Sequence, residues 1–128
     1  MPKVSKQTAE KFEDWGGPGK EWSQVLDGQH VSFVQVDEDA DLTPMLVGLA
    51  NDQCQCPHWG YVLKGRVWWR FDDREEICEA GDAYYAPPGH TSGAFSGAEF
   101  IVISPEKEMR ELLSHMEKRA HELQATAT

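Results

Sequence analysis

Side chains that bind metals and transfer protons lie in two short segments of this chain. Cys54, Cys56 and His58 belong to the first segment, residues 54–65, and His90 ends the second, residues 81–90. Each segment combines a strand-like run with a glycine turn, and each places one histidine among apolar and aromatic residues. We therefore expect the two imidazoles to meet inside one small β-structure.

These side chains predict a candidate metal site. Two histidines joined by Cys54 or Cys56 would offer nitrogen and sulfur donors, a set that suits Zn²⁺, with iron, copper, nickel and manganese as further divalent candidates. A carboxylate from Asp52 in place of the thiol would give the two-histidine, one-carboxylate arrangement that holds non-haem iron. Without a metal, the histidines would hydrogen-bond to the backbone, to each other or to a tyrosine, and the cysteines would act as small apolar core residues.

Aromatic side chains accompany both histidines and predict an apolar binding site for a small organic molecule. The aromatic residues of this region include Trp59, Tyr61, Trp68, Trp69, Tyr84, Tyr85 and Phe95. The candidate ligand-binding residues are His58, His90, Tyr85 and Trp69. Because side chains alternate along a strand, Trp59 and Tyr61 should point away from His58.

The composition indicates one small acidic domain. A chain of 128 residues is long enough for one hydrophobic core and too short for two. The formal charge of −10 repels phosphate backbones, so we predict no nucleic-acid partner. No apolar run approaches the ~20 residues that cross a bilayer, and the N-terminus lacks the apolar stretch of a secretion signal. We therefore expect a cytoplasmic protein with no membrane partner and with reduced cysteines.

The predicted elements are β-rich and end in a helix. Residues 1–29 are predicted to form an N-terminal arm that packs on the domain through its large aromatic side chains. Residues 30–104 contain short strands separated by turns, which is typical of an antiparallel sandwich or barrel, and residues 45–50 form one of these strands. Residues 105–125 show a helical apolar period that starts at Pro105. This amphipathic helix is expected to pack on the barrel or, alternatively, to form a dimer contact.

Both segments resemble the paired sequence motifs of the cupin superfamily. Gly81 and the turn at residues 87–89 match the second motif, and residues 59–65 match the end of the first. The resemblance implies an all-β fold, a cupin-type antiparallel β-barrel of the jelly-roll kind, to which the N-terminal arm and the C-terminal α-helix are added. It also implies a homodimer.

The metal-binding positions of the cupin motifs are occupied differently in this chain. The first motif, which usually supplies two histidines and a glutamate, holds Asp52, Cys54 and His58, or Asn51, Gln53 and His58 if its gap is one residue longer. In the second motif Ser92 takes the histidine position, and His90 directly follows the turn. The usual set of three histidines and one carboxylate is therefore not restored in either register.

Our leading hypothesis is a small-molecule site in the barrel, centred on His58 and His90, with a divalent metal as a candidate cofactor. As an enzyme, the protein would catalyse metal-assisted oxygenation, isomerisation or lyase chemistry. The alternative is a ligand-binding or regulatory cupin module that has no metal and no catalytic activity. The fold alone does not choose between the two.

Overall fold

A computed structural model describes residues 2–15 and 17–127 of the chain. Strands make up most of the regular structure in these residues, and one long helix follows them. The elements are β1 (Lys11–Asp14), β2 (Gly19–Leu26), β3 (Gln29–Val36), β4 (Ala40–Asp41), β5 (His58–Lys64), β6 (Arg66–Arg70), β7 (Glu75–Glu79), β8 (Ala83–Ala86), β9 (Thr91–Ala94), β10 (Glu99–Pro105) and α1 (Glu106–Ala127). Two short 3₁₀-helices, Thr43–Leu46 and Ala50–Asp52, connect β4 to β5.

The strands form two antiparallel sheets. The larger sheet has the order β1-β2-β3-β10-β5-β8, and the smaller sheet has the order β4-β9-β6-β7. Their inner faces share one hydrophobic core, which includes Val34 and Val62 from the larger sheet and Val67 and Trp69 from the smaller one. This arrangement confirms the predicted all-β, jelly-roll type of antiparallel barrel with a C-terminal helix.

The larger sheet extends further towards the N-terminus than the sequence predicted. Residues 1–29, predicted as an arm, contain β1 and β2, and β2 pairs along its whole length with β3. Trp22 faces Phe33 in this register, whereas its neighbours Glu21 and Ser23 line the interior. Polar residues therefore occupy inward positions of β2. The strand was not predicted because a strand is recognised from apolar residues at alternate positions.

The prediction of a strand at residues 45–50 is wrong. This segment belongs to the two 3₁₀-helices and to the turn between them. Pro44 lies in the first turn of the first helix, where its missing N–H leaves no hydrogen bond unmade. Gly48 has a φ of 103°, which ends the helical turn, and Leu46, at 1% exposed, anchors the segment in the core.

The turn between β5 and β6 brings His58 and Trp69 into the same interior. Gly65 forms this turn with a φ of 70°, in the left-handed region that favours glycine. A Cβ atom at this position would lie 2.8 Å from the Cα atom of Ala98, so a larger residue would have to displace the backbone. The predicted hairpin thus depends on glycine for both conformation and space.

Helix α1 begins at Glu106, one residue later than predicted, because Pro105 still pairs with Gln29 in the larger sheet. Its apolar stripe packs on the domain, as one of the two sequence-based alternatives proposed. The second core cluster contains Leu46, Cys54, Cys56, Met109 and Leu112. Within the described residues, no helix combines the length and the apolar composition needed to cross a lipid bilayer.

Candidate metal centre and ligand cavity

His58 and His90 lie side by side inside the barrel, as their sequence context predicted. His58 begins β5, and His90 follows the turn between β8 and β9. Their ring centroids are 5.2 Å apart, and the rings meet edge to face at 63°. An isolated antiparallel bridge between Cys54 and His90 brings the cysteine to the same place, with the Cys54 N–H donating to the His90 carbonyl at 2.7 Å.

Cys54, His58 and His90 form one compact cluster of metal-binding side chains. One ligand atom from each residue lies within 4.8 Å of the other two. The Cys54 Sγ atom is 3.5 Å from the His58 Nε2 atom. The three residues are 3%, 5% and 0% exposed, so the cluster is almost completely shielded from bulk water.

The hydrogen bonds around His90 determine which ring nitrogen is free. Its Nδ1 atom lies 2.7 Å from the Pro87 carbonyl oxygen, which can only accept a hydrogen bond. Nδ1 therefore carries the proton, and Nε2 keeps its lone pair. That Nε2 atom is buried and has no hydrogen-bond partner among the described residues. An unpartnered nitrogen lone pair in a buried site is well suited to a metal ion.

Burial keeps the cluster neutral in the absence of a cation. It lowers the pKa of His58 to about 3, with further contributions from His90 and His30, and it also lowers the pKa of His90. Burial raises the pKa of the Cys54 thiol to about 11. Both imidazoles are thus available as neutral ligands, whereas the thiol would lose its proton when a cation binds.

The donor set of the cluster fits Zn²⁺. Two imidazole nitrogens and one thiolate sulfur are typical Zn²⁺ ligands. Bonds of about 2.0–2.3 Å in a tetrahedral centre place ligand atoms about 3.3–3.8 Å apart. Since the widest separation in the cluster is at most 4.8 Å, movements of under about 1 Å would bring the ligands to bonding distance.

Two of the candidate metal ligands lie outside the cluster. The Cys56 Sγ atom donates to the Pro57 carbonyl oxygen at 3.5 Å, and the residue packs in the second core cluster. Asp52 is exposed, and its carboxylate accepts a hydrogen bond from the Gly48 N–H at 2.9 Å. The carboxylate alternative for the third ligand is therefore not supported by the geometry.

The structure also separates the two aromatic candidates for ligand binding. Trp69 is 6% exposed, and its ring centroid lies 5.8 Å from that of His58 and 5.2 Å from that of His90. Tyr85 is 51% exposed and stacks on Trp59 at 4.8 Å on the outer face of the larger sheet. Tyr85 therefore lies outside the cluster, because alternation along β8 turns the neighbouring Tyr84 and Ala86 towards the core instead.

Sequence reasoning missed Ser104, which contacts the site directly. The His58 Nδ1 atom lies 2.6 Å from the Ser104 Oγ atom, and Ser104 is completely buried. The feature of the sequence that could have identified Ser104 is its position two residues after Val102, which places both side chains on the inward face of β10.

A cavity of about 1260 Å³ opens between the inner face of the larger sheet and α1, and it borders the metal-binding cluster. His58 and Trp69 form part of its wall. Its apolar lining includes Val34, Val36, Val67, Phe100, Val102, Met109, Leu112, Leu113 and Met116. A molecule in this cavity would therefore meet a largely apolar surface with the cluster at one side.

Comparison with solved structures identifies the class of fold. No protein-family profile matches the chain, and no curated protein sequence matches it either. An RmlC-like cupin from Shewanella frigidimarina is similar in structure, with a TM-score of 0.56 and 18% identity over 80% of this chain and 88% of that one. The chain therefore has the cupin fold, and the predicted resemblance is confirmed at this level.

Two further solved structures, a polyketide cyclase and a protein of unknown function, share this fold. The polyketide cyclase RemF from Streptomyces resistomycificus has a TM-score of 0.56 and 18% identity, over 83% of this chain and 80% of that one. A protein of unknown function from Rhizobium leguminosarum has a TM-score of 0.59 and 19% identity, over 81% of this chain and 95% of its own. At such identities the comparison establishes the fold, and activity must be argued from the site.

Proposed function

We propose that this protein binds a small organic molecule in the cavity and holds a divalent metal, for which Zn²⁺ is best suited, through Cys54, His58 and His90. The observation that supports this proposal most strongly is the convergence of three metal-binding atoms within 4.8 Å, one of which belongs to His58 in the wall of the cavity. A bound metal would act there as a Lewis acid that polarises an oxygen atom of the organic molecule. Such polarisation would serve the isomerase and lyase chemistries expected of the protein. Oxygenase chemistry would instead require a redox-active ion such as iron in the site, because Zn²⁺ does not change its oxidation state.

The surrounding residues would orient the ligands and exclude water. The Pro87 carbonyl holds the His90 ring through Nδ1, so that Nε2 faces the cluster. Ser104 plays the corresponding role for His58. The Trp69 ring packs against both imidazoles and separates them from solvent, which strengthens electrostatic interactions within the site.

A second candidate function is a ligand-binding module without a metal. The contact between the Cys54 thiol and His58 favours it, because this pair forms a hydrogen bond that needs no cation. The lowered pKa values of both histidines also keep the cluster neutral in the empty state. In this case the cavity would bind its molecule through apolar contacts and a few hydrogen bonds.

Metal titration distinguishes the two candidates. The full chain would be treated with a chelator, dialysed and titrated with Zn²⁺ by calorimetry and with Co²⁺ by absorption spectroscopy. We expect one ion per chain and a thiolate-to-cobalt charge-transfer band. Cys54→Ala should abolish the band, whereas the matched control Cys78→Ala, on β7, should leave it unchanged. A wild-type protein that binds neither ion would contradict the metal site and favour the second candidate.

We also propose that the protein forms a homodimer through the outer face of the larger sheet. One row of this face crosses five strands and contains only large apolar side chains. The row consists of Phe12, Trp22, Phe33, Ile101 and Tyr61, each the register partner of the next. The exposed pair Trp59 and Tyr85 lies beside it. A second copy of the chain would cover this apolar surface.

The size of the outer face suits a stable dimer. The larger sheet has six strands, and its central strands β3 and β10 have eight and seven residues. Strand spacings of about 4.8 Å and rises of about 3.4 Å give an area of about 700 Å². This is close to the roughly 800 Å² that each partner contributes to a specific interface.

A further inference from the structure

The wall of the cavity is not uniformly apolar: a polar patch lies on the inner face of β2 and β3. This polar patch consists of Glu21, Ser23, His30 and Ser32, all of which line the cavity. Ser23 and Ser32 are register partners in neighbouring strands, and the Ser32 Oγ atom lies 3.3 Å from the His30 Nδ1 atom. Ser32 is completely buried. Polar side chains placed inside a barrel need partners, and the cavity is where a partner would bind.

The register connects the polar patch to the metal-binding cluster. His30 on β3 is the partner of Ser104 on β10, and Ser104 contacts His58 on β5. His30 is also close enough to His58 to lower its pKa. A single bound molecule can therefore reach the polar patch and the cluster together.

The charges around the cavity are mainly negative. The acidic residues that line it are Glu10, Glu13, Glu21, Asp41, Glu106 and Glu117, and the basic ones are Lys11 and Arg110. Both basic side chains are held by acidic neighbours, since Lys11 pairs with Glu13 and Arg110 pairs with Glu106. An organic anion would meet net repulsion here, whereas a cation would be attracted.

We propose that the cavity ligand is an apolar organic molecule that ends in an amine or another hydrogen-bond donor, and that Glu21 and Ser32 receive this polar end. The inference rests on the proposed small-molecule function and adds the chemical class of the ligand. The apolar lining binds the body of the molecule, and the Glu21 carboxylate pairs with the ammonium group. Anionic molecules such as carboxylates are excluded.

The electrostatics of Glu21 agree with this role. Burial raises the pKa of its carboxyl group, and interaction with the Ser32 hydroxyl opposes the increase. An ammonium group would compensate the charge that burial disfavours, so binding a cation stabilises the carboxylate. A neutral alcohol would bind the Glu21 carboxylate less strongly than an amine, because the alcohol carries no positive charge.

Three matched probes test the inference on the full chain. 4-Phenylbutylamine, 4-phenylbutan-1-ol and 4-phenylbutyrate share one apolar body and differ in their polar end. By isothermal titration calorimetry we expect the amine to bind at least about tenfold more tightly than the carboxylate, with the alcohol between them. Glu21→Gln should weaken the amine about tenfold and the alcohol by less than about twofold. The control Glu79→Gln, an exposed residue on β7, removes the same charge away from the cavity and should change neither affinity.

The outcomes separate the inference from the function on which it rests. Equal or tighter binding of the carboxylate would overturn the inference and leave the small-molecule cavity intact. An amine affinity that is unchanged in Glu21→Gln would also overturn it. Failure of all three probes to bind would overturn both the inference and the small-molecule site, whereas the metal titration would still report on the cluster independently.

Discussion

The His58 Nδ1 atom and the Ser104 Oγ atom are 2.6 Å apart, although 46 residues separate them in the chain. Both residues are buried, and they lie on adjacent strands of the larger sheet. This contact holds the His58 ring with its Nε2 atom towards Cys54. The orientation of one candidate metal ligand therefore depends on a serine at the junction of the last strand and the helix.

Ser104→Ala should reduce both stability and metal affinity. The substitution leaves the buried His58 Nδ1 atom without this partner, which should lower the free energy of unfolding by about 1–3 kcal/mol. Loss of an orienting hydrogen bond should weaken Zn²⁺ binding by about tenfold to hundredfold. Urea denaturation and calorimetric titration measure the two effects. The control Ser114→Ala, at an exposed position on α1, should leave both unchanged, and equal behaviour of the two variants would contradict the orienting role.

Glu99→Gln should change the dependence of stability on pH. Hydrogen bonds from Lys6 and then Lys64, at 2.9 and 3.0 Å, lower the pKa of the Glu99 carboxyl group. Since the folded-state pKa is below the unfolded one, the stabilisation is present above the unfolded value of about 4.5 and is lost as the pH falls through the lowered folded-state pKa.

Urea denaturation from pH 3 to 8 tests this pH dependence. At neutral pH the variant should be less stable than the wild type by about 1 kcal/mol or less, because Lys64 is largely exposed. The difference should shrink towards zero in acid. A difference that stays constant down to the lowest pH would show that Glu99 acts through packing and not through its charge.

Tyr61→Lys should convert the proposed dimer into a monomer. Tyr61 lies in the apolar row on the outer face of the larger sheet and is 43% exposed, so a lysine is tolerated in the single chain but not in a buried interface. Sedimentation velocity would measure the change. Ile77→Lys is the matched control, since Ile77 is an apolar strand residue of the smaller sheet that is also exposed, at 54%. A monomeric wild-type protein would refute the dimer.

Gly60→Ala should destabilise the wall of the site. A Cβ atom at residue 60 would overlap with the Ile101 carbonyl oxygen and with the Tyr84 ring, and Tyr84 is itself held by a hydrogen bond to Ile101. We expect a loss of about 2–3 kcal/mol in the free energy of unfolding by urea denaturation. Gly97→Ala provides the comparison, because it meets open space and loses only about 1 kcal/mol through its φ of 88°. Equal losses would show that the close approach at residue 60 is relieved by local movement.

The sequence predicted the part of the site that depends on local motifs. Glycine turns and strand patterns around His58 and His90 predicted that their rings meet inside one β-structure, and the structure brings the rings together. It could not choose between Cys54, Cys56 and Asp52, because a shift of one residue in the connecting loop changes which side chain enters the barrel. The positive φ angles of Asn51 and Asp52 turn the chain there. Asn and Asp adopt such angles more readily than other non-glycine residues, but residue type alone does not fix at which position the chain turns.

The polar patch of the cavity was beyond sequence reasoning for another reason. Glu21 lies on β2 and Ser32 on β3, and these two strands pair with each other. The two side chains lie near the metal-binding cluster only because β10 and then β5 follow β3 in the sheet. The same is true of Ser104, whose contact with His58 depends on the pairing of β10 with β5. Contacts between distant strands follow from sheet order, which no local pattern reports.

By itself, the sequence determined the class of fold, the terminal helix and the pair of histidines, because turn residues and the periods of strand and helix act over a few neighbouring positions. Only the tertiary structure decided that Cys54 completes the cluster, that Tyr85 lies outside and that Glu21 lines the cavity. These choices depend on the register and order of strands far apart in the chain, where a displacement of one residue exchanges the inner face of a sheet for its outer one.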